Sequence, residues 1–308
     1  MTERREGGTL RFAVGVDVGG TKIAAAVVDS EGRIREKVRL KTEREDRDRS
    51  VEQVAAAARE AVSAAGIAWE QVAAIGVDVP GIYYPDSGRV WAPNLPGWDR
   101  IPLRDWLSSR LPRHVVGAAD RAAYVAGEQW VGAARGLRDV VFVAVGTGIG
   151  VGICSAGRIL TGAQGIAGAA GWFALDPCWK EEYARAGCWE SESAGPAVAR
   201  HAGTPDAETA VLAARRGDAR ARAALDRAAD YMAMGIANLV SLLNPEMVVL
   251  GGGLMQAGDL LLGRIREGVP RWAQPLAAAA VRIELTGLGE DAGLLGAARL
   301  ALEAESLP

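Results

Sequence analysis

Three glycine clusters close apolar runs of the chain: Gly19-Gly20, Gly146-Thr147-Gly148 and Gly251-Gly252-Gly253. In such turns backbone N–H groups can approach phosphate oxygens that a Cβ would keep away. One turn of this kind is ordinary punctuation between strands. Three of them, two with a threonine at the tip (Thr21 and Thr147), point to a phosphate-bearing ligand. The chain has no G-x-x-x-x-G-K-[ST], so a P-loop does not hold that phosphate. A G-x-G-x-x-A match, Gly287 to Ala292, lies too near the C-terminus to be followed by the acidic residue and βαβ unit of a dinucleotide site, and reads as a helix start.

The elements that position these turns follow from the hydrophobic pattern. Residues 11–34 read as two β-rich runs joined at Gly19-Gly20, and residues 35–50 as an edge strand running into a solvated, charged loop. Ser50 with Gln53 makes a capping-box pattern, predicting a helix over 51–65 with Gly66 at its C-terminal end. Val72 to Gly81 has the apolar density of a buried strand entering a Pro80-Gly81 turn, and the next loop carries Trp91, Pro93, Asn94, Pro96 and Trp98. A short strand is expected at 115–117, then a helix that Asp120 opens and Gly136 closes. A second strand-turn-strand follows, whose residues Val141 to Gly150 repeat the pattern of Val14 to Ile23, 127 positions earlier, as in a duplicated unit. Farther on, Thr204-Pro205 reads as an N-cap and first-turn pair, and a long helix over about 218–243 stops before Pro245. Strands at Met247–Leu254 and Val281–Thr286 precede a closing helix. Strands alternating with helices give an α/β fold with ligands at strand ends.

The 308 residues suit two domains or one duplicated domain. With 49% hydrophobic and 24% charged residues the composition is that of a globular protein. Acidic residues (38) outnumber basic ones (35), which argues against a protein that coats nucleic acid by neutralising phosphates. Three cysteines, Cys154, Cys178 and Cys188, make no disulfide framework and fit a reducing cytoplasm. No signal-peptide core and no long uncharged apolar stretch is present, so neither export nor a membrane partner is expected.

Several motifs in order carry a family resemblance. Asp17-Val18-Gly19-Gly20-Thr21-Lys22, Gly146-Thr147-Gly148-Ile149-Gly150, and Asn244-Pro245-Glu246 with the glycine triplet resemble the phosphate and adenosine motifs of the ROK family (repressor, open reading frame, kinase). Ala92 to Trp98, Gly187-Cys188-Trp189-Glu190 and the final Gly293 to Ala298 fit it too, and the similarity covers nearly everything from residue 11 onward. The resemblance implies the actin-like, hexokinase-like ATPase fold, made of duplicated ribonuclease H-like α/β domains about an interdomain cleft that binds ATP, magnesium and a sugar. The expected layout is a flexible leader at 1–10, an N-terminal domain at 11–118, optionally completed by a C-terminal helix at about 292–308, and a C-terminal domain at 119–291. The resemblance also gives Gly19, Gly20, Thr21, Thr147 and Gly148, with Gly146, to phosphates, and Asp17 to magnesium through water. Lys22 matches with a weaker claim, and Gly251 and Gly252 border adenine and ribose. Asp120 matches the family's catalytic base, with Glu128 eight residues on; its alternative is a helix N-cap.

On the acceptor side the pattern departs. Ala119 stands where family sugar kinases carry an Asn, and the E-x-G-H segment that grips sugar hydroxyls falls on Ala169-Ala170-Gly171-Trp172. Glu190, Asn94 and Gly81 remain as sugar contacts, with Trp172 divided between core residue and pocket wall. The family's zinc motif is also lost, because Glu181 and Tyr183 replace its first two cysteines and neither His114 nor His201 is near, so no zinc is expected. Trp179 and Trp189 are expected in the core, where with Trp172 they would brace the loop. Losing one hydrogen bond to a charged group, roughly 1.5–3 kcal/mol, weakens recognition of a glucose-like ligand by about one to two decades. The expectation is an ATP-dependent kinase for a hexose, amino sugar or cyclitol, not tuned to glucose; the alternative is a silent sugar or nucleotide sensor. The ten residues before Arg11 are too few for a DNA-binding helix-turn-helix, and family habit suggests a homodimer.

Overall fold

A hairpin of two apolar strands opens the described part of the chain, residues 12–305 of a computed structural model; the leader expected at 1–10 lies outside it. Strands β1 (Phe12–Val18) and β2 (Lys22–Asp29) pair antiparallel, and β3 (Ile34–Lys41) lies outside β2. β1 is buried almost throughout while β3 alternates, the contrast between a strand covered on both faces and a sheet edge. Helix α1 (Arg47–Ala64), β4 (Val72–Val79), a small hairpin of β5 (Ile82–Tyr84) and β6 (Arg89–Trp91), α2 (Leu103–Ser108), β7 (Val115–Ala119) and α3 (Asp120–Val131) follow. The sheet order is β3-β2-β1-β4-β7, with β1, β4 and β7 parallel.

The second set repeats this plan. Strands β8 (Val140–Val145), β9 (Ile149–Ser155) and β10 (Arg158–Ile159) lead into helices α4 (Tyr183–Ala186), α5 (Cys188–Ser193), α6 (Gly195–Ala202), α7 (Ala207–Arg215) and α8 (Ala219–Leu243). Then come β11 (Met247–Gly251), α9 (Gly258–Gly268), α10 (Pro275–Ala280), β12 (Arg282–Leu285) and α11 (Ala292–Ala304). The order β10-β9-β8-β11-β12 has the same directions, strand for strand, as the first sheet. Each sheet has its own hydrophobic core.

The chain divides into two compact units: one takes the described residues through Val131 together with α11, and the other takes Gly132–Glu290. Helix α3 thus groups with the first unit, although the sequence reading began the second domain at 119. The reason is α11, which packs on α3, β1 and β4. It comes so close to the sheet that a Cβ at Gly76 would fall 1.8 Å from the Ala297 carbonyl oxygen, and one at Gly15 2.1 Å from that of Leu294.

Three helix boundaries differ from the sequence expectation. α1 starts at Arg47 because Asp46 caps it, accepting the Arg49 N–H, while Gln53 bonds the preceding loop at Glu43 and Lys41. α7 starts at Ala207, where Asp206 accepts the Thr209 N–H and outcompetes Thr204 as cap. α3 ends at Val131, and residues 132–137 continue as turns closed by Arg135 N–H to Gly132 and Leu137 N–H to Ala134.

Candidate functional site

In the first unit three aspartates converge from adjacent parallel strands. Asp17 near the end of β1 stands in register with Asp78 near the end of β4, and β7, which pairs with β4, delivers Asp120 as the first residue of α3. Gly293, in the first turn of α11, sits over the cluster: its absent Cβ would lie 3.1 Å from Asp78 Oδ2, 3.3 Å from Asp17 Cγ and 3.0 Å from the Tyr124 ring. The amino-terminal end of a helix is the favourable end for carboxylates.

The three carboxyls are not alike. Asp78 is fully buried, with its carboxyl beside that of Asp17. Burial, then the Asp17 and Asp120 carboxylates, push it well above the usual range, which favours its protonated form. Asp120 is half-buried and pushed up to about 6, chiefly by burial and further by Asp17, against the counter-pull of Arg121. Its Oδ1 accepts the Arg121 N–H at 2.7 Å, one residue on, a different bond from the N2 or N3 bond of a helix cap. Tyr124 is raised by burial and by all three aspartates. Glu128 is wholly buried in the same helix.

The β1–β2 turn beside this cluster is closed by the Gly19 N–H donating to Lys22 O (2.9 Å), so that amide shapes the turn instead of facing outward. Thr42 secures it, its hydroxyl donating to Gly19 O and its N–H to Thr21 O. Space over Gly20 is open, the nearest atoms to a Cβ there being those of Asn94 at 3.8 and 3.9 Å. Gly81, at φ +96°, accepts from Arg121 Nη1 at 2.7 Å, which ties the Pro80-Gly81 turn to the residue after Asp120.

The second unit carries the matching turn, closed by Gly146 N–H to Gly148 O. Gly146 and Thr147 line a cavity of about 720 Å³ with Gly195, Leu212, Arg215 and Gly253, among others. Gly251 and Gly252 do not line it. A Cβ on Gly251 would meet Phe142 Cζ at 2.4 Å, and one on Gly252 the Val145 carbonyl oxygen at 2.5 Å, so these two serve close packing, while over Gly253 nothing lies within 4 Å. Glu190 accepts the Ile149 N–H at 2.7 Å and sits against Gly148 and Gly171; burial raises its carboxyl and that amide opposes the rise. Trp172 is 58% exposed, which removes its core reading. Trp179 is 72% exposed, contrary to its expected place in the core, and only Trp189 is buried, stacked on Phe173. Within α5, the buried carboxylate of Glu192 would be raised by burial alone, but hydrogen bonds from Lys180, Tyr183 and Arg227 hold it down at about 2.

Sequence reasoning missed Asp78 and Glu192, and within the glycine triplet it assigned Gly251 and Gly252 to the ligand instead of Gly253. Asp78 had a signal: Gly-Val-Asp-Val occurs at 15–18 and again at 76–79.

The chain matches the ROK family over residues 13–304. It is 33% identical over 315 residues to a glucokinase of Thermotoga maritima, covering 94% of this chain and 97% of the relative. Identity to an N-acetyl-D-glucosamine kinase of Citrobacter koseri is 30% over 304 residues, covering 94% and 98%. Among solved structures, the ROK family glucokinase from Streptomyces griseus in complex with glucose and AMPPNP matches with a TM-score of 0.80 at 32% identity, over 95% of this chain and 99% of that one. The fold is accordingly the actin-like ATPase fold of ROK hexokinases.

Proposed function

Since the chain belongs to the ROK family, we propose that it transfers the terminal phosphoryl group of ATP to a hydroxyl of a sugar or sugar-like polyol, with Asp120 taking the proton of that hydroxyl. The observation that carries the reading is the Asp120 carboxyl, pushed up to about 6 at the head of a helix and standing with Asp17 beside a glycine turn with open space above it. A base whose affinity for protons lies near the working pH is the effective kind. The acceptor hydroxyl is a poor nucleophile until a carboxylate removes its proton as the phosphoryl group moves; this is worth about 10²- to 10⁴-fold.

The residues present fit ATP and magnesium. Over Gly20, Gly146 and Gly253 a Cβ would meet nothing nearer than 3.8 Å, room that intrachain packing does not use. The cavity beside Thr147 has nucleotide-like volume. Gly20, Thr21, Thr147 and Gly148 would hold phosphates and Asp17 would hold magnesium through water, a hard oxygen donor for a hard cation. When bound, ATP supplies the phosphoryl group and magnesium offsets its charge. Asp78, biased toward its protonated form, lessens the like charge that Asp17 and Asp120 meet.

Gly81, Asn94, Trp172 and Glu190 would meet the acceptor. Ala169 and Trp172 replace a carboxylate and an imidazole of the family pattern, so the pocket offers fewer partners for hydroxyls and an exposed indole face in their place. An amino sugar, an N-acylated hexose or a cyclitol then competes well with glucose. A panel of hexoses, amino sugars and cyclitols with ATP and magnesium, read by product mass, tests this. Product from none of them rejects the kinase, and calorimetric sugar binding without product points to a sensor.

A further inference from the structure

The ROK resemblance brings a zinc site built from a histidine and a C-x-C-G-x-x-G-C run, and the residues here do not fit one. Trp172 occupies the histidine position, Glu181 and Tyr183 the first two cysteine positions, and Cys188 alone remains. The Tyr183 hydroxyl is already committed, donating to Glu192 Oε1 at 2.5 Å. Lys180 donates to the same oxygen, and Arg227 Nη2 donates to Oε2 at 2.6 Å. Lys180 also lies 3.6 Å from Asp176 Oδ2, and Tyr231 donates to that atom at 3.5 Å. Two cations and two carboxylates close the group electrically, which is what a carboxylate only 1% exposed requires.

We infer that this hub at Glu192 does the bracing that a metal does elsewhere: it ties residues 176–187 to α8 and fixes α5 so that Glu190 stays against the Gly148 turn. Helix α5 has six residues, too few to be stable by itself, so its position comes from what grips it. Glu192 is gripped from residues 180, 183 and 227, Ser191 O accepts from Arg200 Nη2 at 2.7 Å, and Trp189 is locked on Phe173. Glu190, two residues before the hub, is left with one orientation, on the Ile149 amide. The brace is polar, unlike the aromatic one the sequence suggested, since Trp172 and Trp179 are exposed. Its positioning half rests on the proposed role of Glu190 toward the acceptor, while its bracing half does not.

The test combines zinc content, hydrogen exchange and kinetics on the full chain. The expected result is purified protein without stoichiometric zinc, and exchange over 176–193 that a chelator leaves unchanged. Glu192→Gln speeds exchange there by about ten- to hundredfold while β8 and α8 stay protected, as expected for losing charge-assisted hydrogen bonds. The acceptor KM of this variant rises about tenfold with the ATP KM nearly constant. Tyr183→Phe removes one donor, keeps the carboxylate, and gives a smaller change in the same direction, so a Gln variant that fails to fold does not end the test. One zinc per chain whose removal frees the segment overturns the brace, as does unchanged exchange in both variants. Faster exchange with an unchanged acceptor KM overturns the positioning half. The exchange and metal readouts need no turnover, so a failed kinase assay is distinguishable from a failed brace.

Discussion

The two sheets share order and strand direction yet end in different chemistry. Where β1 and β4 put Asp17 opposite Asp78, β8 and β11 put Ala144 opposite Gly251. Each of the turns that follow is closed by its first glycine's N–H, onto the Lys22 carbonyl in the first unit and the Gly148 carbonyl in the second. One strand end is therefore a cluster of carboxyls that bias each other's protons, and the other a neutral, closely packed edge beside a roomy cavity. A duplicated scaffold supplies two sets of strand ends, the usual place for ligands in α/β folds, and one or two side chains per strand decide what each set does.

The sharpest way to break the contrast is to neutralise the acid side. Asp120→Asn is expected to lower phosphoryl transfer by about 10²- to 10⁴-fold with ATP affinity retained by calorimetry. The same change should stabilise the fold. A carboxyl raised in the folded state binds its proton more tightly there than in the unfolded chain, so stability falls as pH climbs from about 4 through about 6. The amide removes that burden, a gain on the order of 1 to 3 kcal/mol at pH 7 in urea unfolding. An active variant refutes the base, and a destabilised one shows that the carboxylate serves the fold.

Next in size is the pH profile. With Asp120 as base, kcat/KM should drop about tenfold per unit below pH 6 and level off above pH 7. A break near pH 4 instead would show an ordinary, solvated carboxylate and would erase the electrostatic difference between the two strand ends.

What the sequence made legible divides along the same line. Local patterns were enough for both hairpins, the 127-residue repeat, the opening of α3 at Asp120 and the glycine turns, because period and turn chemistry are written in neighbouring residues. Asp78 was absorbed into a buried strand, since only cross-strand register brings it to Asp17. The glycine triplet looked like one ligand motif, but Phe142, more than a hundred residues away, claims Gly251 and leaves Gly253 to the cavity. Glu192 gave no local sign, because Lys180 and Arg227 reach it from opposite directions along the chain.

On the neutral side, Gly251→Ala tests whether that strand end is there for packing. A methyl 2.4 Å from the ring of buried Phe142 forces a shift, and overpacking of this kind costs about 1–3 kcal/mol in chemical unfolding. Gly253→Ala, with nothing within 4 Å, should leave stability unchanged and act on the ATP KM alone. Equal stability losses in the two variants would collapse the division between packing and cavity glycines.

The smallest effect on activity belongs to the residue that makes the first strand end unlike the second. Asp78→Asn keeps the shape of the carboxyl and removes the cost of burying its charged form. Because the folded-state affinity for the proton is raised, the stability gain should be present at pH 7 and vanish toward pH 4, where the unfolded chain is protonated as well. Activity should stay within a few-fold of the parent, since Asp17 and Asp120 are unchanged. A variant that loses stability at pH 7 means that Asp78 carries its charge in the folded protein, and the assignment of charges within the cluster then has to be reversed.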